Sequence, residues 1–250
     1  MNIVPVIFED HNLARMRPLS WSAPVFELRC GMFNTRERVG LCSSGGGGVL
    51  LGRNILRDLN RASGWAWGSE SIPVSGSKDT RFLFLNGMLA PDFSLIRGLF
   101  DLARDCPELV WSDGQELVAA VVGPELARKA AVNWESWEKE NAGRSVWTDP
   151  SNAPLPWSGG DFFAGEVAGP SPDVIARLVK LAKLQNMGPS WIWDIVGCTK
   201  DALVRDRAFV KDGVAFKREP FGIFPGQDQS APDWAEPTIL QKHSDGDAQG

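Results

Sequence analysis

Apolar residues run almost unbroken over residues 2–8 (NIVPVIF) and again over 81–85 (RFLFL). Runs this short and this apolar predict strands buried on both faces, as in a parallel sheet. Pro5 counts against the first, because it removes a ladder donor. The second ends at Asn86-Gly87, a turn dipeptide. Between them, residues 9–24 are polar and broken by proline, and predict a long loop. Asn34 is placed to cap a helix starting at Thr35. Residues 43–48 (SSGGGG) predict a mobile loop, and residues 64–77 an irregular stretch.

Beyond the second strand, Asp92 caps a helix whose Phe93, Ile96, Leu99, Phe100 and Ala103 fall on one face, with Pro107 ending it. Residues 108–111 and 116–122 flank Asp113-Gly114 and predict a hairpin. A helix follows over 124–140, with Trp134 and Trp137 on one side. Residues 149–160 form a Pro/Gly/Ser-rich connection. Ser171-Pro172 opens a further helix, and Val174, Leu178 and Leu181 recur at helical spacing. A last helix is expected over 200–207. From 225 the chain is polar and proline-broken, so a folded unit over 1–224 and a tail over 225–250 are expected.

This alternation predicts an α/β fold with a mainly parallel central sheet flanked by helices. In such sheets ligands bind beyond the carboxyl ends of the strands, which directs attention to the loops after Phe8 and Leu85. A hydrophobic fraction of 43% over 250 residues supports a core and excludes wholesale disorder. The net charge of −5, without a Lys/Arg stripe, argues against binding to nucleic acid. No stretch approaches a membrane span, and no signal peptide is visible. Four cysteines without a C-x-x-C pair, and only two histidines, argue against zinc. They fit reduced thiols in a cytoplasmic protein. Oligomeric state is not legible.

Against this acidic background, Arg15, Arg17, Arg29, Arg36 and Arg38 crowd into 24 residues. Two readings stand. Guanidinium forks bind phosphates, or the arginines pair with Glu9, Asp10, Glu27 and Glu37. The glycine run at 43–48 lacks the spacing of a phosphate-binding loop.

Arg15-Met16-Arg17-Pro18-Leu19-Ser20, after a buried first strand, resembles the arginine-proline-leucine-threonine segment of sugar-1-phosphate nucleotidyltransferases. The longer stretch FEDHNLARMRPLSWSAPVFELRCGMFNTRERV is similar to the opening of a divergent branch. That branch is related to the uridylyltransferase domain of bifunctional N-acetylglucosamine-1-phosphate uridylyltransferase/glucosamine-1-phosphate acetyltransferase. The segments LFLNGMLAPD and WIWDIVGCTKDAL add to the likeness. The resemblance implies a Rossmann-like nucleotide-diphospho-sugar transferase fold, and a reaction of nucleoside triphosphate (UTP by resemblance) with sugar 1-phosphate. The products would be a nucleotide sugar, of the UDP-N-acetylglucosamine type, and pyrophosphate, with Mg²⁺. It implies that Arg15 and Arg17 hold the triphosphate with Asn12 and Ala14 cradling it. Arg29 would meet a substrate phosphate, and Asp194 with Asn86 would hold the metal.

Two departures bear on activity. Val25 stands where the family carries a lysine, and Asn86 where it carries a metal-binding aspartate. The alternative is therefore a non-catalytic nucleotide- or sugar-phosphate-binding module of the same fold. Asp194 has its own alternative, as a helix cap. A glycosyltransferase of similar architecture would want an Asp-x-Asp motif, and the nearest string, Asp245-Gly246-Asp247, lies in the tail. Relatives of this kind continue into a β-helix acyltransferase domain, and no such repeat is present in these 250 residues.

Overall fold

In a computed structural model, the residues described are 1–45, 47–59, 64–73, 79–113, 116–142, 157, 159–164, 166–167, 170–185 and 191–211. The central strand is β1 (Asn2–Phe8), paired in parallel with β2 (Gly48–Leu51) on one side and β4 (Thr80–Asn86) on the other. β3 (Trp65–Trp67) extends the parallel edge beyond β2. On the opposite flank β6 (Glu116–Val122) runs antiparallel to β4, and β5 (Leu109–Asp113) antiparallel to β6. The order is thus β3-β2-β1-β4-β6-β5, with β6 alone reversed.

Alternating residues of the central strands feed two cores. Ile3, Ile7, Leu83 and Leu85 pack on the face covered by α3 (Phe93–Asp105) and α6 (Pro172–Gln185). Val6, Phe8, Phe82 and Phe84 pack on the face covered by α4 (Pro124–Asn141) and α5 (Gly159–Ala164). The side-chain period of a strand is two, so an unbroken apolar run is what a sheet covered on both faces requires. Rossmann-like α/β architecture, helices on both faces of a mainly parallel mixed sheet, follows.

Pro5 is accommodated by this alternation. Gly87 N donates to the Phe8 carbonyl at 2.8 Å on the β4 side, and Glu9 N to the Leu51 carbonyl at 3.0 Å on the β2 side. Even-numbered amides of β1 therefore face β4 and odd-numbered ones face β2. Pro5 turns its missing donor toward β2, whose ladder with β1 begins only at Val6 and Val49. A Cβ on Gly48 would overlap the Pro5 carbonyl. The end of the glycine run is thus strand entry at close backbone approach, where a loop was expected.

Other expectations also shift. Residues 9–24 are not a plain loop: a 3-10 turn spans His11–Met16 and a single helical turn, α1, spans Leu19–Ser22. The last helix, α7, runs Ile192–Lys211, eight residues earlier than expected. Asn34 does cap α2 (Thr35–Cys42), in a reciprocal arrangement with Glu37. Asp92 caps α3, accepting from Ser94 N at 2.7 Å. The expected tail over 225–250, and Asp245-Gly246-Asp247 within it, lie outside the described residues.

Candidate active site

The carboxyl ends of β1, β2 and β4 converge on a buried polar cluster. Glu9 and Asp10 follow β1 directly, and their roles divide. Glu9 is a structural clamp. Its Oε1 accepts from Val25 N at 2.8 Å, and its Oε2 from Arg53 N at 3.0 Å and Arg53 Nε at 3.1 Å. Its own carbonyl accepts from Trp134 Nε1 at 2.6 Å. Arg53 Nη2 continues to the Ser20 and Ala23 carbonyls, tying down residues 11–24. Val25, in the place of the expected lysine, contributes its amide to Glu9 and packs its side chain with Leu13 and Met16.

Asp10 caps the 3-10 turn by accepting from Asn12 N at 2.8 Å. Its Oδ2 accepts from Asn86 Nδ2 at 2.7 Å and from Asn12 Nδ2 at 3.2 Å. Burial pushes its pKa up and Glu116 adds to this, while His11, Asn86 and Asn12 oppose. Asn86 is held from three sides. It donates to Asp10 and to the Leu117 carbonyl at 3.1 Å, and its Oδ1 accepts from Met88 N at 2.9 Å. Expected to face a metal, Asn86 instead spends its amide on a neighbouring carboxylate and two backbone groups.

Arg17 is buried, with 6% of its surface exposed. Burial, and then the neighbouring Arg53 guanidinium, push its pKa down from the ordinary arginine value. Arg15 lies at the surface, 3.9 Å from Glu116 Oε1 and 5.7 Å from the ring centre of Trp191. Ala14 shares the turn with Asn12, whose Oδ1 is buried without a hydrogen-bond partner among the described residues, as is His11 Nδ1. Arg29, expected at a phosphate, instead donates to Glu37 Oε1 at 2.9 Å and to the Met32 carbonyl. Arg36 pairs with Glu27, and Arg38 with Asp206.

Asp194 is the third residue of α7, and its Oδ2 accepts from Trp191 N at 2.8 Å, so the capping role is present. The first turn of α7 reaches the cluster through Ile192 and Ile195, which pack with Met88, Met16 and Val25. The structure thus brings Asn12, Ala14, Arg15, Arg17 and Asn86 to one end of the sheet, with α7 alongside, and sets Arg29 in an ion pair on the α2 side.

Sequence reasoning passed over Arg53 and Glu116, and weighed Asp10 only as a partner for the arginines. The available signal was position: Asp10 lies just past a central parallel strand. Arg53 follows β2, which the glycine run concealed. Among the described residues no three carboxylate, imidazole or thiol groups gather as a metal cage. Mg²⁺ does not require one, since it is held by one or two carboxylates together with substrate phosphates. A buried carboxylate beside an unpartnered amide oxygen fits that donor chemistry.

Comparison with known proteins agrees with this arrangement. The profile of the sugar nucleotidyl transferase family matches residues 5–214, a span that contains every strand except the first three residues of β1. The chain therefore belongs to that family, whose members carry out nucleotidyl transfer on sugar phosphates. Neither the curated proteins nor the solved structures give a match. Among the described residues no helix is long and apolar enough to cross a membrane.

Proposed function

We propose that the chain is a sugar-1-phosphate nucleotidyltransferase that forms a nucleotide sugar and pyrophosphate. UTP and an N-acetylglucosamine-type sugar 1-phosphate are the substrates favoured by the likeness of residues 8–38 to the uridylyltransferase branch. A phosphate oxygen of the sugar 1-phosphate attacks the α-phosphorus of the nucleotide, and the bond to the departing pyrophosphate breaks in line with it. Such a reaction is accelerated by positioning and charge neutralisation. Arg15 and Arg17 hold the triphosphate, and Asn12 and Ala14 form the floor of the turn beneath it. Asp194 and the Asn86 cluster flank the place of the Mg²⁺, which supplies charge neutralisation at the phosphates when bound. The ion pair to Glu37 removes Arg29 from this set.

The observation that carries the reading is the burial of Arg17 close to Arg53 at the carboxyl end of the central strands. Burial and the neighbouring Arg53 guanidinium, itself held by Glu9, disfavour the charge on Arg17, and a phosphate brought to Arg17 favours it. The test is pyrophosphate release across four nucleoside triphosphates and several sugar 1-phosphates, with and without Mg²⁺. Release with one pair supports the reading.

The second reading is a nucleotide- or sugar-phosphate-binding module without turnover. It is favoured by Val25 and by the neutral Asn86, which replace a lysine and an aspartate of the family pattern. Nucleotide binding by calorimetry, with no pyrophosphate from any pair, would select it.

A further inference from the structure

We propose that Asp10 is the carboxylate that receives a divalent cation at the end of the central strands. Asn86 is its positioning residue, and the Asn12 side-chain oxygen is a second ligand. The inference rests on the nucleotidyl-transfer reading and deepens it.

The orientation of Asn86 is fixed by its neighbours. Its Oδ1 must accept from Met88 N–H, and its Nδ2 donates to the Leu117 carbonyl as well as to Asp10. Turning the amide to offer oxygen on the Asp10 side would break the two backbone bonds. Asn86 therefore works through Asp10, holding the Oδ2 atom in place. Asn12 presses its own amide against the same Oδ2, which leaves its Oδ1 buried and without a donor among the described residues. An acceptor oxygen stranded beside a carboxylate is costly unless a cation or donor arrives. Asp10 is itself 4% exposed, so the carboxylate and the stranded oxygen lie together in the interior. A divalent cation bound to Asp10 and Asn12 gives that oxygen a partner.

Hard oxygen donors of this kind suit Mg²⁺ or Mn²⁺. Such ions complete their shell with water and with phosphate oxygens, which Arg15 and Arg17 on the same loop would deliver. The negative charge absent at residue 86 is thus supplied from the end of the adjacent strand. An aspartate at 86 would set a second carboxylate about 2.7 Å from the first.

Mn²⁺ binding, followed by electron paramagnetic resonance with and without α,β-imido-UTP, tests this without turnover. Nucleotide affinity is measured separately by calorimetry in EDTA. Asp10→Asn, which keeps a side chain able to cap the turn, should weaken Mn²⁺ binding roughly tenfold or more. Asn12→Ala, which removes the stranded oxygen, should also weaken Mn²⁺ binding, and it decides the matter if Asp10→Asn fails to fold in a thermal melt. Mn²⁺ affinity of folded Asp10→Asn within about twofold of wild type would overturn the proposal, as would Asn12→Ala that binds Mn²⁺ as well as wild type. A wild type that retains no Mn²⁺ also overturns it. The calorimetry in EDTA still reports independently on whether the arginine loop binds nucleotide.

Discussion

The five arginines that crowd the first 38 residues part into two groups with opposite environments. Arg29, Arg36 and Arg38 each meet a carboxylate: Glu37, Glu27 and Asp206. These pairs fasten the segment before α2, and Arg38 carries α7 with it. Arg15 and Arg17 sit on the 3-10 turn after β1 and its C-cap. Arg15 Nη2 is 3.9 Å from Glu116 Oε1, and Arg17 is buried beside the Arg53 guanidinium, which Glu9 holds. One run of sequence thus holds an arginine set that closes the structure around α2 and another placed at the end of the sheet. The spacing of the arginines does not separate the sets, since Asp206 lies 168 residues from its partner.

The largest effect expected from breaking this contrast lies in the structural set. Arg38 is almost wholly buried. It reaches Asp206 Oδ2 at 2.7 Å, the Phe33 carbonyl at 2.7 Å and the Cys30 carbonyl at 2.5 Å. Asp206 also accepts from Met32 N at 2.8 Å. Removing the guanidinium leaves a buried carboxylate uncompensated, which costs about 3–5 kcal/mol. Arg38→Ala should lose that much stability in urea unfolding. The double variant with Asp206→Ala should lose less than the sum of the two singles. An additive result would show that the pair does not couple α7 to α2.

Next come the two arginines after β1. Arg17→Ala and Arg15→Ala should each weaken nucleotide binding by about 1.5–3 kcal/mol, the range for hydrogen bonds to charged groups. Arg15→Ala should leave the unfolding midpoint close to that of the wild type. Arg29→Ala should do the reverse on a smaller scale. Its partly buried pair with Glu37 is worth roughly 1 kcal/mol of stability, and nucleotide affinity should not change. Calorimetry on the three variants compares the sets directly, and equal nucleotide losses from Arg29→Ala and Arg17→Ala would dissolve the distinction.

Much of the fold was legible because it depends on local pattern. The runs at 2–8 and 81–85 are two-sided strands, and Asn34, Asp92 and Pro124 mark helix starts that stand where the residues place them. β2 and β3 were hidden. They are short, and glycine and tryptophan around them pack against neighbouring backbone and rings instead of following a period of two. The start of α7 was hidden for a related reason: Trp193, Val196 and Gly197 are exposed and show no apolar stripe. Of the candidate site, the placing of Arg15 and Arg17 after a buried strand and of Asn86 at a strand end was legible. That Asn86 hydrogen-bonds to Asp10 depends on two strands being neighbours, which pairing decides and spacing does not. Glu27 and Glu37 were among the acids weighed as arginine partners, although Arg29 was expected at a phosphate, and Asp206 was not among them.

The smallest expected effect concerns the sign of one structural pair. Glu27 accepts from Arg36 and from Asn34 Nδ2 at 2.7 Å, yet burial, ahead of the opposing arginine contacts, holds its pKa above the ordinary glutamate value. A carboxyl whose pKa is higher in the folded state binds its proton more tightly there than in the unfolded chain. Its contribution to stability is then fully present below the unfolded pKa and is lost as pH rises through the raised one. The Arg36 contact opposes this shift without reversing it, as expected where desolvation outweighs attraction. Glu27→Gln keeps an acceptor for Arg36 and Asn34 and removes the titration. Urea unfolding at several pH values from mildly acidic to neutral should show wild-type stability falling with pH relative to the variant. A difference that grows in the opposite direction would place Glu27 among the carboxylates whose charge the fold favours, and the structural arginines would then contribute stability at Glu27 as well as at Asp206.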